Sequence, residues 1–514
     1  MPLSLAPAAV PSAEPPAAAV YRARRDHYAA ERSAEARRWS LVANGRLAAM
    51  AAALGLIVWS VLTQSAPILV ASVVPVAAFA VLVVIHGRQE QRRRRLVLLE
   101  RLNEEAERRV LRRWSDLPVY HQTRSPAGHA YASDLDLFGR ASLFHLLDVV
   151  GGTLAEPTLA SWLLSPASLA SARRRQEAVR ELAPQIDLRE TFSLLARSAA
   201  EARPSLDPLL AWAEGPSWLA GRAWLVATSR VAATTLWLAF AAHVLGLVGW
   251  PIWLPFLGLT LLIAATSGRD AHRIVAAVRD TAEPLRWYAA AFAASTSAGF
   301  RAPLLSDLTG VLTDSGLPAH REVARLYRIG NAAIPRSAML YGVVQALTLW
   351  DVHVLAMLEG WQQRCGRRLR GWLAAQAEIE ALAALAGLAH DNPNWVFPDL
   401  RDDADEVLGR AVGHPLIPDA VRVSNDVRVG PPGTFLLVTG SNMSGKSTYL
   451  RALGLNVVLA LAGAPVCAQS LSLPALDVWT SMRVQDSLEE GVSFFMAELG
   501  RIKQIVDAVD AANA

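Results

Sequence analysis

The densest chemistry in this sequence lies in nine consecutive residues, Gly440-Ser441-Asn442-Met443-Ser444-Gly445-Lys446-Ser447-Thr448. They fit the pattern G-x4-G-K-[ST], whose spacing has a physical reading. Glycines at 440 and 445 accept backbone angles that turn successive N–H groups toward one centre, making a concave anion site. A helix opening directly afterwards adds the partial positive charge of its N-terminus. The Lys446 ammonium reaches the β- and γ-phosphates of a nucleotide, and the Ser447 hydroxyl is placed for Mg²⁺. The pattern therefore predicts binding of ATP with Mg²⁺. The competing reading of Lys446, a solvated surface lysine, fits poorly with a position between Gly445 and a Ser-Thr pair.

Such a loop needs a strand before it and a helix behind it. Gly430-Pro431-Pro432-Gly433 reads as a turn, and the run Phe435-Leu436-Leu437-Val438-Thr439 as a short buried strand. Tyr449–Leu461 reads as the helix. The texture changes at about residue 400, where Gly, Pro and Val become common, so residues 401–514 are expected to form an α/β nucleotide domain.

The rest of the chain reads as helical, and part of it as membrane-embedded. With 514 residues it is too long for one core. Hydrophobic residues make up 53% and charged residues 19%, against about 45–50% and about 25% in average soluble chains. The excess sits in two blocks. Leu47 to Ile85 contains no Asp, Glu, Lys or Arg and breaks at Thr63-Gln64-Ser65-Ala66-Pro67; each half has the short-span length of a transmembrane helix. Val231 to Gly268 is likewise charge-free between Arg230 and Arg269, with a turn near Gly249-Trp250-Pro251. Trp237, Trp250 and Trp253 suit membrane interfaces, and His243 is the one titratable side chain inside. Arginines flank both blocks, including the run Arg92-Arg93-Arg94-Arg95, which places all four ends in the cytoplasm. The expected organisation is a disordered, then basic N-terminal segment (1–46), a first hairpin (47–85), a helical segment (86–228), a second hairpin (229–268), a second helical segment (269–400) and the nucleotide domain.

Residues 1–20 are Ala/Pro-rich, lack the basic start and apolar run of a signal peptide, and read as disordered. Cys365 and Cys467 are too few for a disulfide scaffold or a Cys-based zinc site, and read as buried thiols in a reducing compartment. A net charge of +4 suits nucleic acid or anionic lipid without selecting either.

The segment Thr439–Arg451 resembles the P-loop of the MutS family, with Asn442 and Met443 in that family's Asn-Met positions. Gly413-His414-Pro415-Leu416-Ile417 is similar to the segment opening the MutS ATPase domain, and Ser424-Asn425-Asp426 to the Asn-Asp element after it. Ala468-Gln469 and Asp477 to Arg483 fall where that family has its next strand. Gln485 to Glu498 resembles the D-x-L-x-x-G-x-S-x-F-x-x-E segment, in which Ser493 would contact nucleotide in a partner subunit; read alone, Ser493 is a helix cap, and the rest of the segment favours the nucleotide contact. Asp134–Gly139, Gly151-Gly152-Thr153, Leu159–Leu163 and Arg175–Leu182 resemble the start of the MutS core domain. Glu378–Leu388 and Val396-Phe397-Pro398 resemble its end.

The likeness implies a mainly α fold with a C-terminal P-loop ATPase domain of the ABC/MutS type, homodimerisation through that domain, and DNA as a partner. Three departures stand against a full transfer. No mismatch-reading domain or Phe-x-Glu motif is present, Val421 stands where an aromatic often stacks on adenine, and no apolar strand ending in Asp-Glu follows Ser493. The sequence therefore reads as a truncated ATPase that binds nucleotide better than it hydrolyses it. The leading expectation is a membrane-anchored, ATP-driven, mismatch-repair-related clamp on DNA, with Arg364, Arg367, Arg368 and Arg370 as a candidate phosphate-contacting face or simply a solvated one. The alternatives are a nucleotide-switched membrane scaffold and, with no Leu-Ser-Gly-Gly-Gln signature in support, an ABC-type transporter subunit.

Overall fold

The computed structural model describes residues 15–120, 123–147, 154–201, 206–281, 283–313, 316–482 and 494–513. It is mainly helical. Two long helices, α1 (Pro16–Thr63) and α2 (Ala66–Val110), form an antiparallel hairpin. Five shorter ones follow: α3 (Leu143–Leu147), α4 (Ala155–Leu164), α5 (Leu169–Leu182), α6 (Ile186–Glu201) and α7 (Asp207–Glu214). A second hairpin consists of α8 (Ala223–Val244) and α9 (Trp253–Thr266). Then come α10 (Gly268–Asp280), α11 (Leu285–Ser297), α12 (Pro303–Thr313), α13 (Ala319–Asn331), α14 (Tyr341–Thr348) and α15 (Trp350–Asp391). A sheet of β1 (Asp399–Leu400), β2 (Val407–Val412), β3 (Asn425–Val429) and β4 (Ser470–Leu473) has the order β1-β4-β2-β3. β1 and β4 are parallel; β2 runs antiparallel to both β3 and β4. The helices α16 (Lys446–Ala462) and α17 (Phe494–Asn513) complete the described fold.

The core is organised around α15. Of its 42 residues, most of the apolar ones, from Val352 through Trp361, Leu369 and Trp372 to Leu388, are buried against α4, α5, α7, α10, α12 and α13. It is long and apolar enough to cross a membrane, yet 83% of its apolar window is covered by protein, so it is a core helix. The hairpins are the opposite case. The apolar windows of α1 and α2 are 6% buried, and Leu54, Val58, Leu62, Val70, Val73 and Val74 all lie exposed. Apolar surface this continuous exceeds what water-facing folds carry.

The α1–α2 hairpin extends well beyond its charge-free part. At 1.5 Å per residue, the 48 residues of α1 span about 70 Å. Helix is continuous from Pro16, so the expected disorder of residues 1–20 fails at least from that residue on: Ala17, Ala18 and Tyr21 pack on Ala106 and Val110. Four arginines of the basic segment are held in ion pairs. Arg22 and Arg25 both meet Glu107 (2.9 and 2.8 Å), Arg32 meets Glu100 (2.9 Å), and Arg24 meets Glu190 on α6 (2.6 Å).

In the second hairpin α9 has 14 residues, about 21 Å of helix, short of a full span; a bend at Ser267 separates it from α10. Between α14 and α13 the chain exposes Met339 and Leu340, and α14 itself packs against both α8 and α9.

Candidate functional site

The residues expected from the sequence to hold nucleotide lie in a glycine-rich loop that runs directly into α16. α16 begins at Lys446, three residues earlier than expected, with Gly445 as its cap at φ +89°, a left-handed conformation natural to glycine. Met443 also lies left-handed (φ +64°) and is fully exposed, bending the loop away from the body. At Gly440 the reason for glycine is contact: a Cβ there would stand 2.8 Å from the Ser444 Oγ. The loop closes on the lysine. Lys446 Nζ donates to the Gly440 carbonyl (2.6 Å) and the Ser441 carbonyl (2.7 Å). Ser441, Asn442, Ser444, Ser447 and Thr448 are exposed to solvent.

This arrangement fits a triphosphate. The ammonium is held over the loop by two backbone carbonyls, weaker partners than phosphate oxygens. The open N-terminus of a 17-residue helix lies directly behind it. The Ser447 hydroxyl is exposed in the first turn, where a bound Mg²⁺ could take it.

The expected strand at Phe435–Thr439 is a correction. No ladder forms there, and Phe435, Leu436 and Leu437 are exposed. An apolar run becomes a buried strand only when neighbouring strands satisfy its backbone, and among the described residues no strand runs beside it. The strand after α16 falls at Ser470–Leu473, between the two stretches expected to hold it. Ser493 and most of the segment 485–498 lie outside the described residues, as do Gly151, Gly152 and Thr153.

Behind the loop the pieces singled out by spacing meet. The Asp134–Gly139 turn lies against α16: Arg451 Nε donates to the Asp134 carbonyl (3.0 Å), its guanidinium stands 3.7 Å from Asp136, and a Cβ on Gly454 would strike the Leu135 side chain. Gly413 donates its N–H to the Cys467 carbonyl (2.8 Å). Asn456, fully buried, joins them: Nδ2 donates to the Gly413 carbonyl (2.9 Å) and Oδ1 accepts from the Cys467 N–H (2.6 Å). Sequence reasoning missed Asn456, although a lone amide inside the apolar run of α16 was the available signal. His414 is largely shielded from water, and desolvation, with Arg451 nearby, pushes its imidazole down to about 4. Val421 sits exposed in the turn before β3, with no ring to stack a base. Asp426 Oδ1 accepts the Ala411 N–H at 2.9 Å.

The helical motif 175–182 also has a physical role. Arg175 lies over Trp162 (3.9 Å to the ring centre), Gln176 donates to the Pro398 carbonyl (3.1 Å), and Arg180 lies over Phe397 (4.3 Å). The sequence-distant segments 159–163, 175–182 and 396–398 are thus one packing unit. The arginines 364, 367, 368 and 370 share the exposed face of α15, where Arg370 is paired with Glu214 (2.7 Å) and Arg364 lies 3.8 Å from Glu322. Both cysteines are buried and unbridged, and burial raises each thiol to about 11.

The geometry is that of a glycine-rich loop closed on a lysine at a helix N-terminus, joined to a helical core. Residues 436–513 match the family model described as MutS domain V. Among curated proteins, the chain is 36% identical over 140 residues to the DNA mismatch repair protein MutS of Chlorobaculum tepidum. It is 37% identical over 136 residues to that of Streptococcus equi subsp. equi, and 38% over 138 residues to DNA mismatch repair protein MutS 1 of Halobacterium salinarum. Each match takes in 26% of this chain and only 15–16% of the relative's length. Residues 436–513 are therefore MutS-like, and the comparisons, over about a quarter of the chain, support a MutS-like, mismatch-repair-related family.

Proposed function

We propose that this chain is a membrane-anchored MutS-like ATP-binding protein whose paired nucleotide domains act as an ATP-driven clamp on DNA. The observation that carries the reading is the loop 440–445 folded around Lys446 Nζ at the head of α16, in a region matched to MutS domain V. ATP with Mg²⁺ is the expected ligand: the loop N–H groups and Lys446 bind phosphates, and Ser447 offers a metal ligand. The exposed apolar hairpins α1–α2 and α8–α9 support the anchor, with the polar segments on the arginine-rich, cytoplasmic side. Closure of two nucleotide domains would bias the helical core between two arrangements, so DNA affinity should depend on ATP.

The test is DNA binding by the detergent-purified full chain with and without ATP, over a salt series, using paired, mismatched and branched duplexes. Binding that answers to ATP and prefers one shape supports the clamp, and the salt slope counts phosphate contacts. Lys446→Ala removes charge-assisted contacts worth about 1.5–3 kcal/mol each, so ATP affinity should fall about 100-fold or more while membrane insertion persists. Full ATP affinity in that variant would sink the site assignment. Absence of DNA binding at low salt favours the second reading, a nucleotide-switched membrane scaffold, which the pairing of Arg364 and Arg370 with acidic side chains makes reasonable. An ABC-type transporter subunit has no observation in its favour beyond spans and a phosphate loop.

A further inference from the structure

A cavity of about 230 Å³ lies where the second hairpin meets the helical core, away from the nucleotide loop. Its walls come from three places in the chain: Ala264 and Arg269 around the α9–α10 junction, Arg336 and Tyr341 at α14, and Leu349 and Asp351 at the start of α15. Asp351 is 1% exposed. Its Oδ2 is crowded, with His272 Nδ1 at 2.7 Å and the Tyr341 hydroxyl donating at 2.8 Å. Its Oδ1 is buried and has no hydrogen-bond donor among the described residues. A carboxylate oxygen in that state is unfavourable until a donor reaches it. At the rim, Arg269 and Arg336 are both exposed. Asp351, with that unsatisfied oxygen, thus lines a cavity whose edge carries two guanidinium groups.

The surroundings say where the ligand comes from. Arg336 is the single charge between residues 332 and 350. In that stretch Met339 is 94%, Leu340 60% and Val343 53% exposed, beside the apolar faces of α8 and α9 on which α14 packs. Arg269 stands just past the last charge-free turn of the hairpin. An apolar skirt with arginines at its edge is the composition of a membrane–water boundary.

We propose that this cavity binds the headgroup of an aminophospholipid, its phosphate between Arg269 and Arg336 and its primary ammonium on Asp351 Oδ1. The inference rests on the membrane reading above. Phosphatidylcholine has the same charges but no N–H to give Oδ1, and phosphatidylglycerol has the phosphate without the cation. The site should therefore rank phosphatidylethanolamine first.

The experiment has two stages. Flotation of the full chain with vesicles of each lipid tests the membrane reading by itself; failure to float refutes that reading. Native mass spectrometry of the full chain released from mixed-lipid nanodiscs then measures retained lipid. The expected result is at least about tenfold enrichment of phosphatidylethanolamine over the other two, an interval of about one decade in affinity. Asp351→Asn should erase the preference over phosphatidylglycerol. Arg336→Gln, at an exposed position, should lower retention of every phospholipid. Equal retention of the three lipids by a chain that floats, or unchanged preference in both variants, overturns the inference alone. Soluble phosphoethanolamine competing as well as the lipid assigns the headgroup chemistry to a free metabolite and overturns the lipid source.

Discussion

Replacing Asn456 by alanine tests whether the joint behind the phosphate loop is held by one side chain. Asn456 is fully buried; its amide donates to the carbonyls of Gly413 and Ala452, and its Oδ1 accepts the Cys467 N–H at 2.6 Å. Ala452 keeps its helical bond in the variant. The Gly413 carbonyl and the Cys467 N–H lose their side-chain partner in a region closed to water, where Cys467 is 2% exposed. Each stranded backbone group costs about 1–3 kcal/mol, so the pair costs about 2–6 kcal/mol. Because a chain with several structural units need not unfold in one step, the cost is best read locally, by hydrogen–deuterium exchange of peptides covering 410–417 and 464–470. Even the lower bound corresponds to roughly thirtyfold faster exchange of the Cys467 amide. Asn456→Asp keeps the acceptor and should retain that protection better than alanine does. Wild-type exchange at Cys467 in Asn456→Ala would refute the argument, because nothing else among the described residues receives that N–H.

Three further outcomes follow from the geometry. Glu190 accepts Arg24 (2.6 Å), Tyr28 (2.7 Å) and Asn103, so Glu190→Ala should loosen the base of the first hairpin. With Arg24 22% exposed, the cost is discounted from the buried-pair range to about 2 kcal/mol, visible as faster tryptic cleavage between Arg22 and Arg32; unchanged cleavage refutes it. His414 has a folded pKa of about 4 against an ordinary 6.5, so the unfolded chain binds its proton first and stability falls as pH drops from 6.5 toward 4. Thermal midpoints of His414→Gln should show a flatter dependence across that window, and an identical slope would remove His414 from the account. Gly463 caps α16 at φ +89°, and a Cβ there would lie 2.4 Å from the Arg175 Cβ. Gly463→Ala should lower the melting midpoint through left-handed strain of about 1–2 kcal/mol plus the clash; a rise would refute the packing.

What was legible in the sequence was local. The loop residues 440–448 declare themselves because spacing alone sets which backbone groups point inward, and α16 follows from the same stretch. The two hairpins are legible because charge is absent over a length that a helix must cover. What was not legible depends on residues far apart in the chain. Arg22, Arg24, Arg25 and Arg32 read as part of a basic segment whose partners the sequence does not show: Glu107, Glu190 and Glu100 lie 68 to 166 positions away. α15 is apolar enough for a span and is instead the central core helix, which only its neighbours reveal. The run Phe435–Thr439 has strand composition, but composition cannot supply the adjacent strand that would pair it.

The least legible residue ties the two proposed functions together. Arg112 follows α2 in a left-handed conformation (φ +54°) that a non-glycine residue holds only when its surroundings compel it. It is 6% exposed, and burial pushes its guanidinium down to about 10. It donates to the carbonyls of Arg109 and Val110, to Asn392 Oδ1 at the end of α15 (3.1 Å), and to the Pro415 carbonyl (3.1 Å). Next to it, Trp114 Nε1 donates to the Leu416 carbonyl (3.3 Å), and at the start of α1 the Tyr21 hydroxyl donates to Asp391 (2.6 Å). Pro415 and Leu416 belong to the segment that Asn456 holds against α16. The first hairpin, the end of the core helix and the segment behind the phosphate loop therefore converge on one buried cation. A buried guanidinium that loses a carbonyl is left desolvated and unsatisfied, so these parts resist separation. Any ATP-driven displacement of residues 413–417 has to carry Arg112 along or break its bonds, and carrying it moves the C-terminal end of α2.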